Sequence, residues 1–341
     1  MLRAFVAVVW VATSAISPAA AQDFYKGKTI TLLVGSGEGS GWDQYARLLA
    51  RHIGKYIAGE PAIVVKNQPA AGGIAMANAL YTTAPRDGLT IGLMLRDNPL
   101  EPLLGNPAAK YSPERFTWLG TSSRFEDDAF CLAIRTDSGI AGIGDLQKPG
   151  RPAIFGGQAA GGSETDIVLI ARAVFKLNLQ FIRGYRSSSD TLLALRRGEI
   201  EGRGITVSAL QRGMGDWLAA GKLRYLMQLG HETRWKGLPE VPTAHELATS
   251  EEDRALLALA EAPVQMSRPF VAPPGLPAEQ AQILTRAFMA AHQDPDYLRE
   301  AKEMQLDVSP MSGGEMQALM TRIAQTPPAV IARYKAALSA S

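Results

Sequence analysis

The chain has 341 residues, 46% of them hydrophobic and 20% charged, so it is globular and long enough for two domains of ordinary size. Its formal charge is +2, and +1 without residues 1–21, whose only charged side chain is Arg3; so weak a field excludes nucleic acid or an anionic membrane surface as the main partner. A single cysteine, Cys131, excludes an internal disulfide, and its apolar neighbours from Phe130 to Ile134 make it a small buried hydrophobe.

The N-terminus carries Arg3, an apolar run from Ala4 to Ala12 and then Ser17-Pro18-Ala19-Ala20-Ala21, the grammar of a secretory signal peptide over 1–21 with cleavage before Gln22. That apolar run is too short to span a bilayer, so the mature chain is expected to be exported and soluble. Thr29 to Val34 has a buried-strand composition and runs into Gly35-Ser36-Gly37-Glu38-Gly39-Ser40-Gly41 and a helix start. Glycines allow close backbone approach, and free N–H groups at a helix start attract anions. The loop fits neither a dinucleotide fingerprint, a phosphate loop nor a nucleophile elbow, which leaves a carboxylate or another small anion as its ligand.

Tyr45, Leu49, Ile53 and Tyr56 share a helix face, and Ala62 to Val65 reads as the next strand. A second glycine loop, Asn67 to Gly73, opens a helix over 74–82, and a turn at Pro85 to Gly88 precedes a strand over 90–94. Repeated strand–loop–helix units predict a parallel sheet with ligand outside its carboxyl ends. Strands are expected at 116–120 and 130–135, after which the same grammar restarts. A strand over 153–155 meets the loop Gly156 to Asp166 and a helix from about Ile167 to Phe175; a strand over 179–182 meets Gly184 to Asp190 and a helix over 191–197. A strand near 204–207, a helix over 209–220 and a strand over 223–229 complete a second α/β lobe. The proline-bearing stretches 234–243 and 269–277 read as extended connectors, and helical stripes follow at 283–291 and 316–323, expected to pack back on the first lobe.

Seven ordered segments resemble the extracytoplasmic receptors of tripartite tricarboxylate transporters, the Bug family. They are Tyr25-x-Gly27-Lys28-x-Ile30-x-Leu32; Gly39-x-Gly41-x-Asp43 with Ala46 to Leu49; Asn67-x-Pro69-x-Ala71-Gly72-Gly73; Ala84-Pro85-x-Asp87-Gly88; Gly184-Tyr185 with Leu195 and Gly198-Glu199-Ile200; Pro239-x-Val241-Pro242-Thr243-x-x-Glu246; and Ala272-Pro273-x-Gly275-x-Pro277. The resemblance implies an α/β, two-lobed periplasmic binding protein of type II with its ligand cleft between the lobes. Lobe 1 would hold 22–126, lobe 2 would hold 127–247, and 248–341 would return to lobe 1, with the second crossing between about 235 and 270. It implies a periplasmic monomer that takes a small organic acid without a cofactor and delivers it to the permease subunits of such a transporter. A receptor that reports ligand to a membrane sensor would use the same lobes.

Carried over by position, the ligand-binding residues are Gly37, Gly39, Ser40, Gly41, Trp42 and Asp43 in the first lobe and Gly161, Gly162, Ser163, Thr165, Tyr185 and Ser187 in the second. Asp43 also reads as a cap for helix N–H groups, Ser40 and Ser163 as turn stabilisers, and Trp42 as a packing wedge between lobes. Gly35-Ser36 stands where the family commonly has Pro-Phe. Arg96, after the third strand, and Arg203, beside Gly202 and Gly204, suit bidentate pairing with a carboxylate or a solvated surface. Glu38 and Glu164 would repel a dianion, and equally suit an amino group. His52, His231, His245 and His292 lie away from every glycine loop, and no metal or nucleophile motif surrounds them, so no enzyme is expected.

Overall fold

The computed structural model describes residues 24–158 and 162–339; the expected signal peptide at 1–21 and Gly161 lie outside them. Two mixed sheets organise the chain. The first has strand order β11-β4-β10-β3-β1-β2, with β1 Thr29–Val34, β2 Ala62–Asn67, β3 Thr90–Leu93, β4 Thr117–Thr121, β10 Pro269–Ala272 and β11 Met311–Ser312. The second has order β7-β6-β8-β5-β9, with β5 Phe130–Arg135, β6 Ala153–Gly156, β7 Leu179–Ile182, β8 Gly202–Thr206 and β9 Leu223–Leu229.

Parallel pairing holds for β1 with β2 and β3, and for β6 with β7 and β8, where helical crossovers return the chain to the same strand end. It stops at β10, which lies antiparallel between β3 and β4, and at β5, which is antiparallel to β8 and β9. The expectation that 269–277 is only a connector is therefore corrected: Pro269 to Ala272 is an interior strand of the first sheet. Proline is admitted because it is the strand's first residue, contributing its carbonyl to Met94 N–H at 3.0 Å and needing no N–H of its own.

The C-terminal third divides its packing. Helix Ala278–Ala291 covers β4 through Leu284, Ala287 and Phe288, and Gly313–Ala324 lies on the same strand. Glu251–Gln265 and Pro328–Ser339 instead pack together on Ser163–Phe175, beside the second sheet, and Arg333 spans Glu252 and Asp253 at 3.0 and 2.7 Å. One apolar core runs through these helices from Leu33 and Met76 to Phe155 and Val168, while a second, with Tyr25, Leu48, Phe270 and Phe288, fills the outer face of the first sheet. Cys131 is buried in a smaller cluster with Val207 and Leu238, where burial raises its thiol pKa and keeps the sulfur protonated.

Candidate functional site

The chain passes between the sheets at 122–129 and again before β10, and the two passages are bonded side by side. Ser122 N–H donates to Arg268 O at 3.1 Å, and Ser267 N–H donates to Ser123 O at 3.0 Å. A third segment joins them through Ser309 N–H to Ser122 O at 3.2 Å. Beside this junction opens a cavity of about 760 Å³ whose walls come from both sheets' loops and helices. That volume suits a small metabolite. Two of its residues, Phe125 and Gln305, hold left-handed backbone at φ +53° and +56°, a conformation that costs a side-chain-bearing residue about 1 kcal/mol or more.

The wall on the first-sheet side is cationic and aromatic. Arg268 enters from the start of β10 and lies over the rings of Trp42, at 4.2 Å, and Tyr45, at 4.8 Å. Its Nη1 donates to the Ser267 carbonyl and hydroxyl, both at 2.8 Å, while its Nε is buried without a partner. Burial pushes its guanidinium down to about 10, and Arg96 adds to the lowering while Tyr45 and Asp307 oppose it; the group stays charged at neutral pH. Arg96 sits 6.0 Å from the Trp42 ring and 5.9 Å from Phe125 and Phe130; its Nε is also unpartnered, and Asp97 is 4.0 Å away. Tyr45 closes this wall by donating to Asp307 O at 2.8 Å.

The facing wall is built on the helix Ser163–Phe175, which starts about four residues earlier than its apolar pattern suggests and so brings Ser163, Glu164 and Thr165 into its first turn. Ser163 Oγ is buried with no partner, and Thr165 Oγ1 donates to Gln158 O at 3.2 Å. Ser188, Thr206 and Ser208 add hydroxyls from the starts of two further helices, and exposed Arg212 adds a charge. Glu164 does not stand alone: Arg203, 1% exposed, bonds its carboxylate at 2.6 Å, Ser188 O and Oγ each at 2.8 Å and Gly204 O at 3.2 Å. A β-carbon at Gly204 would collide with the Glu164 carbonyl, so glycine there lets β8 meet the helix start. Asp128 is similarly engaged by Ser208 Oγ, at 2.5 Å, and by two backbone N–H groups.

Of the ligand-binding residues expected from the sequence, the cavity wall takes in Gly41, Arg96, Gly162, Ser163 and Thr165, and Glu164 lies among them. Gly37, Gly39, Ser40, Trp42, Asp43, Tyr185, Ser187 and Arg203 stand behind or beside it, and Gly161 is outside the described residues. Ser40 caps its helix by accepting from Asp43 N–H at 3.2 Å, and Ser187 does the same for Asp190 N–H at 3.1 Å. Asp43 accepts from Gly39 N–H at 2.8 Å, Arg47 Nε at 2.9 Å and Asn67 Nδ2 at 3.0 Å, which knits the first glycine loop to the second. Burial works to raise its carboxyl pKa, and these bonds outweigh it and hold the group below the usual range. Trp42 donates to Met94 O at 3.3 Å and backs Arg268, and Tyr185 packs among Ile154, Ala194 and Ile200.

Sequence reasoning missed Arg268, Tyr45's position in the wall, and the segment 305–308. The available signal was slight: an arginine preceding Pro269-Phe270-Val271-Ala272, itself taken for a connector. Among the described residues no histidine lines the cavity, and no three His, Cys, Asp or Glu side chains cluster as a metal site.

A family model described as "Tripartite tricarboxylate transporter family receptor" matches residues 45–335. A curated Cupriavidus necator protein, described as a UPF0065 protein in the gbd 5' region, is 28% identical over 292 residues, covering 83% of this chain and 80% of that protein. Among solved structures, a TctC solute-binding protein from Polaromonas superposes with a TM-score of 0.69 at 19% identity, covering 92% of this chain and 98% of that one. A Rhodopseudomonas palustris protein with adipate gives 0.57 at 20% identity, covering 91% and 98%.

Proposed function

The chain belongs to the tripartite tricarboxylate transporter receptor family, and from that premise we propose that it is a periplasmic solute-binding protein that closes on a small carboxylate and hands it to a permease of that transporter class. The two sheets are taken as the cores of two lobes, divided as 22–126, 127–247 and a C-terminal portion, with the protein acting as a monomer exported by residues 1–21. The observation that carries the reading is the cavity between the sheets, where charged and hydroxyl donors from both sides, Arg268 Nε and Ser163 Oγ among them, lack acceptors. An orphaned buried donor costs about 1–3 kcal/mol, and an anionic oxygen is the group that satisfies it. Adipate in a structurally similar protein supports the same ligand chemistry.

Binding follows from lobe closure. Ligand oxygens accept from the arginines on one side and from the hydroxyls and the first turn of Ser163–Phe175 on the other, so the closed form alone satisfies both sets. A membrane partner that recognises only that shape receives only loaded protein. The test is a thermal-shift screen of the purified mature chain against mono- and dicarboxylates. A ligand at 100 times its dissociation constant adds about 2.7 kcal/mol of stability. Absence of any shift across small carboxylates, with uptake unaffected by deleting the protein, overturns the reading.

A further inference from the structure

The acids around the cavity and the two arginines of its first-sheet wall are partnered differently. Its acids are engaged: Glu164 by Arg203, Asp127 by Lys236 at 2.6 Å, Asp128 by Ser208, and Asp307 by the Ser123 and Ser309 hydroxyls at 2.5 and 2.6 Å. The two arginines are less so: among the described residues, Arg96 has Asp97 at 4.0 Å and the Arg268 side chain bonds only Ser267. Among the described residues, neither Arg96 nor Arg268 has a carboxylate within hydrogen-bond distance, and both guanidinium groups crowd the same indole of Trp42. Two like charges held together behind aromatic rings disfavour the empty state, and the Nε of each is left without an acceptor.

We propose that Arg96 and Arg268 form a guanidinium subsite that holds one fully ionised acid group of the ligand, so that the receptor selects molecules carrying at least two negative charges and no ammonium group. This rests on the carboxylate-receptor reading above. The first-sheet wall supplies two guanidinium groups, and the opposite wall supplies hydroxyls, a helix start and the exposed Arg212 for the ligand's other acid group. A zwitterion is disfavoured because its ammonium group would stand beside two guanidinium groups and meet acids whose oxygens are already hydrogen-bonded. Arg268 also stands at the junction of the two passages between the sheets, through Arg268 N–H to Thr121 Oγ1 at 2.9 Å and its carbonyl to Ser122, so occupancy of the subsite bears directly on the segments that must bend on closure.

Calorimetric titration with linear dicarboxylates of four to eight carbons, their mono-methyl esters, and aspartate and glutamate tests this. In the unaltered protein the best diacid is expected to bind about 10- to 100-fold more tightly than its mono-ester and than the amino diacids, the range of one charge-assisted bond. Arg268→Met and Arg96→Met are each expected to lose that preference to within about threefold. Arg268→Lys and Arg96→Lys keep most of it and serve as controls for folding. Equal binding of diacid and mono-ester, tighter binding of an amino diacid, or discrimination that survives both Met variants overturns the subsite while leaving the receptor reading intact. Failure of every acid and ester to bind removes both.

Discussion

Arg203→Met separates a residue that touches ligand from one that holds the wall in place. The guanidinium is 1% exposed and makes four hydrogen bonds, to the Glu164 carboxylate, the Ser188 carbonyl and hydroxyl, and the Gly204 carbonyl. Removing one partner of a buried ion pair typically costs about 3–5 kcal/mol because the other charge is stranded. Glu164 is 25% exposed and faces the cavity, so water relieves part of that burden and the expected loss is near the lower end, about 3 kcal/mol. The double variant Arg203→Met/Glu164→Gln removes the stranded charge and should recover about half or more of it, since a neutral, well-packed replacement of a whole pair is often close to neutral. Urea unfolding of wild type and the two variants measures both steps. A ligand-contact role makes the opposite forecast: Arg203→Met would weaken binding with stability within about 1 kcal/mol of wild type, and that result would refute the positioning argument.

Three further outcomes are expected. Asp43→Asn should destabilise the protein by about 1–3 kcal/mol at neutral pH. The folded pKa of Asp43 is lowered, so its contribution is present above the unfolded value near 4 and is lost as pH falls through the folded value; the wild-type and Asp43→Asn stability curves should converge in acid, and parallel curves would contradict this. His292 is buried and bonded to Ser122 Oγ and Phe288 O, each at 2.7 Å, and burial pushes its pKa down to about 4 from 6.5. Between those values the unfolded chain holds a proton that the native chain lacks, so wild-type stability should rise with pH by up to about 1.4 kcal/mol per unit from this group, a slope that His292→Gln removes. Gly73→Ala should cost about 1–3 kcal/mol in denaturant titrations. Its φ is +81°, and a β-carbon would stand 2.8 Å from Gly35 O and 2.9 Å from Asn98 Oδ1, between the two glycine loops; full stability would show that the loops move apart at no cost.

Local chemistry made the strands legible. Runs such as Phe130 to Arg135 and Leu179 to Ile182 declare themselves by β-branched and aromatic content, and the structure gives them the same bounds. β10 was illegible because its proline signals a break, and its place in the sheet depends on pairing with β4, about 150 positions earlier in the chain, which no short window carries. The same distance hides Arg268: its backbone bonds Thr121 and its side chain rests on Trp42 and Tyr45, so only the assembled sheet reveals where it faces. Arg203 and Glu164 show the converse difficulty. Each was visible as a charge near a glycine loop, but the sequence could not display that they neutralise one another. The glycine loops also divide their labour in a way composition does not announce: Gly35 and Gly73 serve close packing between loops, whereas Gly41 borders the cavity, where a β-carbon would lie 3.7 Å from Arg268 Nη2.

On the proposed reading, the uneven character of the two walls determines how closure is driven. Two guanidinium groups meeting one acid group yield about four charge-assisted bonds, or about 6–12 kcal/mol before losses. Association costs about 4–15 kcal/mol in lost freedom, so the first-sheet wall alone holds ligand only weakly. Micromolar affinity needs about 8 kcal/mol net, and the remainder has to come from the hydroxyls and helix start opposite, reached only when the lobes approach. An anion attracted by the arginines therefore remains loosely held until the second wall arrives, and a molecule lacking acceptors at its far end cannot complete that step. Selectivity for charge rests mainly on the paired arginines of one lobe and selectivity for length on the other, with closure as the event that requires both.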